Sequence, residues 1–309
     1  MSRAMSIYGW FASKGKTGFG YNSTAEEVTE GLSLEGKTML VTGCNSGLGL
    51  EAMRVLALRG ARVAGTARTL EKAKEACDSV KGSTIPLACE LADPASVRAC
   101  VAEVKKKDLK LDAIICNAGI MALPNLEKAH GIELQFFTNH IGHFILVTGL
   151  LDNLTETGRV VMLSSSAHTQ APKGGIELDN LDGSKGYAGW RNYGQSKIAN
   201  ILFARELARK FEGTKKTANA VHPGVIATNL GRHMTAALRI PLNLFAPLLL
   251  KTVPQGAATE VFVATSPKLD GVSGEYFSDC NIDKPRDDAK DAELAKKLWT
   301  KSEEIVAAL

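Results

Sequence analysis

No apolar run in this chain of 309 residues approaches the length of a bilayer span, which argues against a membrane-crossing helix. The N-terminus lacks the long apolar core of a secretory signal. Its first 25 residues hold no Asp or Glu, a faint likeness to a transit peptide, but they contain a single Arg, Arg3. Six cysteines are scattered without a Cys-x-x-Cys, which speaks against a zinc site or a disulfide framework and for a reducing compartment. Aromatic residues make up 6% of the chain and the net charge is +4, with no basic run interleaved with aromatics. Nucleic acid is therefore not an expected partner. Lys105-Lys106-Lys107 reads as the solvated end of a helix, where cations suit the dipole. Internal repeats and low-complexity segments are also missing.

What is present is alternation. Strands are expected at 37–42, 61–67, 84–88, 111–116, 159–163, 217–222 and 275–278. Helices are expected at 48–59, 70–80, 94–106, 132–154, 191–211, 254–265 and 288–306. Asp93-Pro94 supplies a cap and a first-turn residue for one of them. The pattern predicts an α/β fold: a single doubly wound domain, with a parallel sheet of about seven strands and helices on both faces. Residues 1–36 read as an arm with Trp10 and Phe11 as anchors, and 37–309 as the domain. Within it, about 225–253 reads as a substrate loop and about 288–306 as a terminal helix. Such sheets bind ligands at the carboxyl ends of their strands.

Thr42-Gly43-Cys44-Asn45-Ser46-Gly47-Leu48-Gly49 lies where the first strand turns into the first helix. Backbone without Cβ approaches a pyrophosphate closely, and the helix N-terminus favours the anion; an ordinary tight turn is the plainer alternative. At the end of the second strand, Thr66-Ala67-Arg68-Thr69 offers a guanidinium and no carboxylate, which favours NADP(H) over NAD. Arg68 also reads as a solvated helix-start residue. Glu90-Leu91 follows the third strand at the expected adenine position, and Asp93 reads equally as a cap. Asn117-Ala118-Gly119 after the fourth strand suits a wall against the cofactor, or a plain turn. Asn139 is a poor helix former in mid-helix and needs a reason: solvent exposure, or a hydrogen bond to a water in the site. His140 and His143 have no evident third ligand, so no metal is expected and both read as surface or packing residues. Ser164-Ser165-Ser166 closes the fifth strand as a polar loop or as a source of a hydroxyl. Tyr193 and Lys197, at i and i+4, share one helix face. An ammonium beside a phenol, together with the positive ring of an oxidised nicotinamide, lowers its pKa from about 10 and suits it to acid/base work, although a snorkelling surface pair has the same spacing.

Taken together and in this order, Thr-Gly-x-x-x-Gly-x-Gly, Asn117-Ala118-Gly119, Asn139, Ser165, Tyr193-x-x-x-Lys197 and His222-Pro223-Gly224 resemble the short-chain dehydrogenases/reductases over about residues 37–280. The resemblance implies a Rossmann-fold oxidoreductase. It implies a catalytic set of Asn139, Ser165, Tyr193 and Lys197. Tyr193 is then the acid/base, Ser165 polarises the carbonyl, Lys197 holds the ribose and tunes Tyr193, and Asn139 orders a water in the proton relay. The cofactor would lie on Gly43, Asn45, Ser46, Gly47, Leu48, Gly49, Arg68, Glu90, Leu91, Asn117, Ala118, Gly119, Pro223, Gly224, Val225 and Thr228, together with Tyr193 and Lys197. Asn139-His140-Ile141-Gly142-His143-Phe144 and Gly274-Glu275-Tyr276-Phe277-Ser278-Asp279 resemble the retinol dehydrogenase and WW-domain oxidoreductase branch. Trp10-Phe11-Ala12-Ser13-Lys14-Gly15 and the rest of the arm are similar to plant dehydrogenases associated with the chloroplast inner-envelope import machinery. That branch implies a lipophilic carbonyl or alcohol substrate, a homodimer through the helices of Asn139 and Tyr193, and peripheral membrane contact. It leaves the compartment open between cytoplasm and chloroplast inner envelope. A second reading is an NADPH-sensing regulatory subunit that binds calmodulin through Lys296-Lys297-Leu298-Trp299. Met121-Ala122-Leu123 and the apolar stretch 238–250 are expected to flank the substrate.

Overall fold

Strand β1 (Thr38–Val41) is buried at every position, as an apolar run covered on both faces must be. The structure, a computed structural model, describes residues 14–226 and 250–309. In chain order β1 is followed by β2 (Arg62–Ala67), β3 (Ser83–Ala88), β4 (Leu111–Cys116), the hairpin strands β5 (Lys128–Ala129) and β6 (Ile132–Glu133), β7 (Leu154–Leu163), β8 (Thr217–His222), β9 (Tyr276–Ser278) and β10 (Asn281–Ile282). Eight of them form one sheet in the order β10-β9-β8-β7-β4-β1-β2-β3. All neighbours pair in parallel except β10, which closes the edge antiparallel to β9. The chain builds outward from β1 in one direction and from β4 in the other, so the crevice between their carboxyl ends is where a doubly wound sheet binds its ligand.

The helices are α1 (Ala25–Val28), α2 (Gly47–Leu58), α3 (Leu70–Asp78), α4 (Pro94–Lys106), α5 (Leu134–Phe136), α6 (Gly142–Gly149), α7 (Gly189–Lys210), α8 (Val253–Thr265) and α9 (Ala292–Ala307). Alternation along β1 divides the core. Met39 and Val41 enter a cluster with Met53 and Leu56 of α2 and Val261 and Phe262 of α8. Leu40 points the other way, into a cluster with Val97, Leu146 and Leu202. Asp93 caps α4 by accepting a hydrogen bond from Ala95 N, with Pro94 in the first turn.

Two sequence expectations change. The helix expected over 132–154 is broken. Ile132–Glu133 is a strand, the buried Glu133 carboxylate accepts from the Gln135 and Phe136 amides to start α5, and a π-turn over Phe137–Ile141 leads into α6. A β-pattern too short for the eye and a local rewinding are invisible to a 3.6-residue period. The helix expected over 288–306 starts afresh at Asp291, whose side chain accepts from Glu293 N and Leu294 N, after a 3-10 turn at Asp287–Lys290. The described part of the arm, residues 14–36, is packed against the domain. Thr24 and Glu27 form a capping box on α1, Phe19 meets Phe262 edge-on at 5.6 Å, and Asn281 bonds Thr17 and Phe19. Trp10 and Phe11 lie outside the described residues.

The terminal helix α9 lies against the helices that carry Asn139 and Tyr193. Trp299 stacks on Phe203 at 5.4 Å and meets Phe144 edge-on at 5.0 Å, and Ser302 bonds His140. With Leu298 and Trp299 buried, the apolar residues of Lys296-Lys297-Leu298-Trp299 are already spent in the core. Among the described residues no helix is long and apolar enough to cross a membrane.

Candidate active site

Beyond β1 the chain reverses into α2 with Gly43 at φ 72° and Gly47 at φ 63°, a region that favours glycine. Close packing sets the same demand. A Cβ on Gly43 would stand 2.9 Å from Ala118 Cβ, and one on Gly49 would collide with the Asn117 amide. Asn117 Nδ2 donates to Thr42 O (2.8 Å) and Ala118 N to Thr42 Oγ1 (2.9 Å), so the wall after β4 is bonded directly to the glycine turn. Ser46 caps α2 by position only. Its side chain makes no capping bond, which leaves the first helix amides open beside exposed Asn45 and Ser46. Leu48 is buried beneath the turn. Arg68 is exposed at the end of β2 and pairs with no carboxylate among the described residues. Free helix amides, a turn that only glycine closes and an unpaired guanidinium form a donor set that fits a pyrophosphate and an additional phosphate.

Glu90 folds back to accept from Ala92 N (3.2 Å), and Leu91 is a core residue whose carbonyl presses on Gly142. Gly224, at φ 89°, follows Pro223. Val225, 48% exposed, accepts from Lys251 N through its carbonyl. Thr228 and the stretch 238–249 lie outside the described residues.

At the end of β7 and on α7 the remaining groups come together. Ser164 is spent in packing, donating to Lys197 O (2.8 Å). Ser165 is the half-buried member of the three, and its Oγ accepts from Ala167 N (3.1 Å), leaving its proton for another partner. Tyr193 is 8% exposed. Burial pushes its phenol up to about 12, opposed by a hydrogen bond with Ser165. Lys197 donates to Leu163 O (2.9 Å), and its ammonium lies 5.5 Å from the centre of the Tyr193 ring. Burial brings it down to about 8. The expected acidification of the phenol involves the oxidised nicotinamide as well as the ammonium. In the chain by itself desolvation dominates both groups, because the ammonium faces the ring and bonds a neutral carbonyl. The result is a buried phenol that keeps its proton.

Asn139 sits in the π-turn and is fully buried. Its Oδ1 accepts from Ile120 N and its Nδ2 donates to Ile120 O and Ser196 Oγ, each at 2.9 Å. Solvent exposure is therefore not its reason for being there, and a single π-turn at such a place is a frequent mark of function. Met121–Leu123 lies against the start of α7, where Tyr187 OH donates to Leu123 O (2.7 Å). Half-exposed Trp190, 6.0 Å from the Tyr193 ring, stands beside it.

Several supporting residues escaped sequence reasoning. His168 Nδ1 donates to Ser165 O (2.7 Å) and its Nε2 accepts from Arg286 N (3.2 Å). His222 Nδ1 accepts from Ser166 N (3.2 Å), and burial brings that imidazole down to about 4. Two neutral histidines thus bracket Ser165. Lys251, 1% exposed, pairs with Asp279 at 2.5 Å, and its stem lies against Gly224.

A family model described as short chain dehydrogenase matches residues 37–239. The chain is 41% identical to "Short-chain dehydrogenase TIC 32 B, chloroplastic" of Brassica napus, over 99% of this chain and 100% of that one. It is 39% identical to "Retinol dehydrogenase 14" of Homo sapiens, over 89% and 88%. Among solved structures, a short chain dehydrogenase from Burkholderia cenocepacia J2315 in complex with NADP superposes with a TM-score of 0.64 at 26% identity, covering 79% of this chain and 96% of that one.

Proposed function

Because this chain belongs to the short-chain dehydrogenase family, we propose that it is an NADP(H)-dependent oxidoreductase acting on the carbonyl or alcohol carbon of a lipophilic substrate. The observation that carries this is the meeting of Ser165, Tyr193 and Lys197 at the strand ends, with the Lys197 ammonium held by Leu163 O and 5.5 Å from the centre of the Tyr193 ring. The glycine turn and exposed Arg68 support NADP(H), and the NADP complex of the Burkholderia relative supports it further. When bound, the nicotinamide supplies or accepts the hydride. In the reducing direction, Ser165 donates a hydrogen bond to the carbonyl oxygen and Tyr193 donates its proton to that oxygen as negative charge develops there. Lys197 then offsets the charge left on the phenolate. Half-exposed Trp190 beside Tyr193, with Met121–Leu123 against the start of α7, offers apolar surface next to the phenol, which supports a lipophilic substrate.

Purified protein is expected to consume NADPH with members of a panel of retinoid, steroid and long-chain aldehydes. Tyr193→Phe is expected to lower turnover by about 10³-fold or more while NADPH affinity stays. Loss of cofactor binding along with activity would contradict the role given to Tyr193.

The second reading, a nucleotide-sensing subunit of a membrane-associated complex in the chloroplast, is favoured by the 41% identity to the Brassica protein. Tight NADPH binding with no turnover on any aldehyde would select it. Calmodulin binding through Trp299 would require α9 to leave the core. A homodimer through α6 and α7 would have to use surface that α9 leaves free.

A further inference from the structure

His143 is fully buried in the first turn of α6, and neither a metal nor simple packing explains its two polar contacts. Its Nδ1 lies 3.0 Å from the carbonyl oxygen of Asn139 and its Nε2 lies 2.9 Å from Thr42 Oγ1. A carbonyl only accepts, so Nδ1 carries the proton. Burial brings the imidazole down to about 4, so it is neutral near pH 7 and Nε2 is an acceptor. Thr42 must then donate its hydroxyl proton to Nε2, and its lone pair accepts from Ala118 N at 2.9 Å. Every donor has one direction, and the path closes on itself. Asn139 C=O, His143, Thr42 and Ala118 lead through Gly119 to Ile120, whose backbone N–H and C=O both return to the Asn139 side chain.

We propose that His143 is a positioning residue, which ties the π-turn of Asn139 to Thr42 at the head of the glycine turn so that the two halves of the site keep one fixed separation. The proposal rests on the hydride-transfer reading for its effect on turnover, but the linkage itself does not. His143 touches no reacting atom. It acts because a misplacement of about 1 Å between cofactor and acid/base groups costs on the order of 100-fold in rate.

The test is a double-mutant cycle in the full-length protein with His143→Asn and Thr42→Val, read by NADPH titration, steady-state kinetics and urea unfolding. Asn in place of His143 keeps a donor near the Asn139 carbonyl but loses the reach to Thr42, and Val at 42 removes the same link from its other end. Each single variant is expected to lower kcat about tenfold or more with KM for the aldehyde little changed. Each should also weaken NADPH binding several-fold, and the double variant should be no worse than the more damaged single one. Additive losses of NADPH affinity would overturn the proposal. So would an ¹⁵N spectrum that places the wild-type proton on Nε2. Should His143→Asn fail to fold, His143→Gln, which reaches Thr42 but not Asn139, completes the cycle with the same criterion. If the wild-type protein reduces no aldehyde, the hydride-transfer reading fails while the cofactor titration and the spectrum still decide the linkage.

Discussion

The two halves of the strand-end crevice are built on opposite electrostatic plans. Around β1, β2 and β4 the groups that hold the site are neutral and bonded to backbone: Thr42 to Ala118 and Asn117 to Thr42. What this half offers a ligand is open amides and the exposed Arg68. Around β7, β8 and α7 the working groups are ionisable and buried, and burial has moved Tyr193 up and Lys197 down. An anion that arrives with its own charge is held best by donors already facing water, because little desolvation has to be offset. A proton that must move during reaction is controlled best where solvent cannot compete for it. Affinity belongs to the first half and chemistry to the second.

The sharpest way to break this contrast is Gly194→Ala. A Cβ at Gly194 would stand 2.5 Å from Ala167 O and 2.7 Å from Ala171 N, so α7 must retreat from the Ser165 loop. Turnover is expected to fall about 100-fold while NADPH affinity changes little, as measured by kcat against cofactor Kd. A parallel loss of affinity would show that the halves are not separable in this way. Arg68→Ala probes the other half. It should weaken NADPH binding about tenfold, leave NADH binding unchanged and spare kcat at saturating cofactor, since one exposed charge-assisted contact is lost. Equal loss for both cofactors would remove Arg68 from the phosphate site.

The smallest effect concerns Glu260 on α8, below the glycine turn. Among the described residues neither carboxyl oxygen has a hydrogen-bond partner, and burial raises its pKa from 4.5 to about 8. Below pH 4.5 the acid is neutral both folded and unfolded. Between 4.5 and about 8 only the unfolded chain gives up the proton, so the stabilising contribution is lost as pH rises through that window. Glu260→Gln cannot ionise. The difference between its urea midpoints at about pH 5 and about pH 8 should be smaller than in the wild-type protein. An unchanged difference would mean that the carboxyl finds a partner in solution.

The chain's own order of residues was enough for much of this. β4 and β8 lie at the expected residues, since buried parallel strands are nearly continuous apolar runs bounded by turn residues. Asp93 and Pro94 marked the start of α4 because capping is local chemistry. Gly43 and Gly47 were legible for the same reason, since a positive φ is a demand of the turn itself. The π-turn at Asn139 and the packing of residues 14–36 were not legible, because each is fixed by partners tens to hundreds of residues away. Sequence also located Tyr193 beside Lys197 but carried no account of how burial acts on the phenol in the chain by itself. Spacing reports which groups are near, whereas a pKa depends on how much water has been removed from around them, and that is settled only when β7, α7 and the Ser165 loop close over one another. His143 shows the same division. Its place four residues past Asn139 is written in the chain, but the proton's seat on Nδ1 exists only because folding sets a carbonyl on one side and the Thr42 hydroxyl on the other.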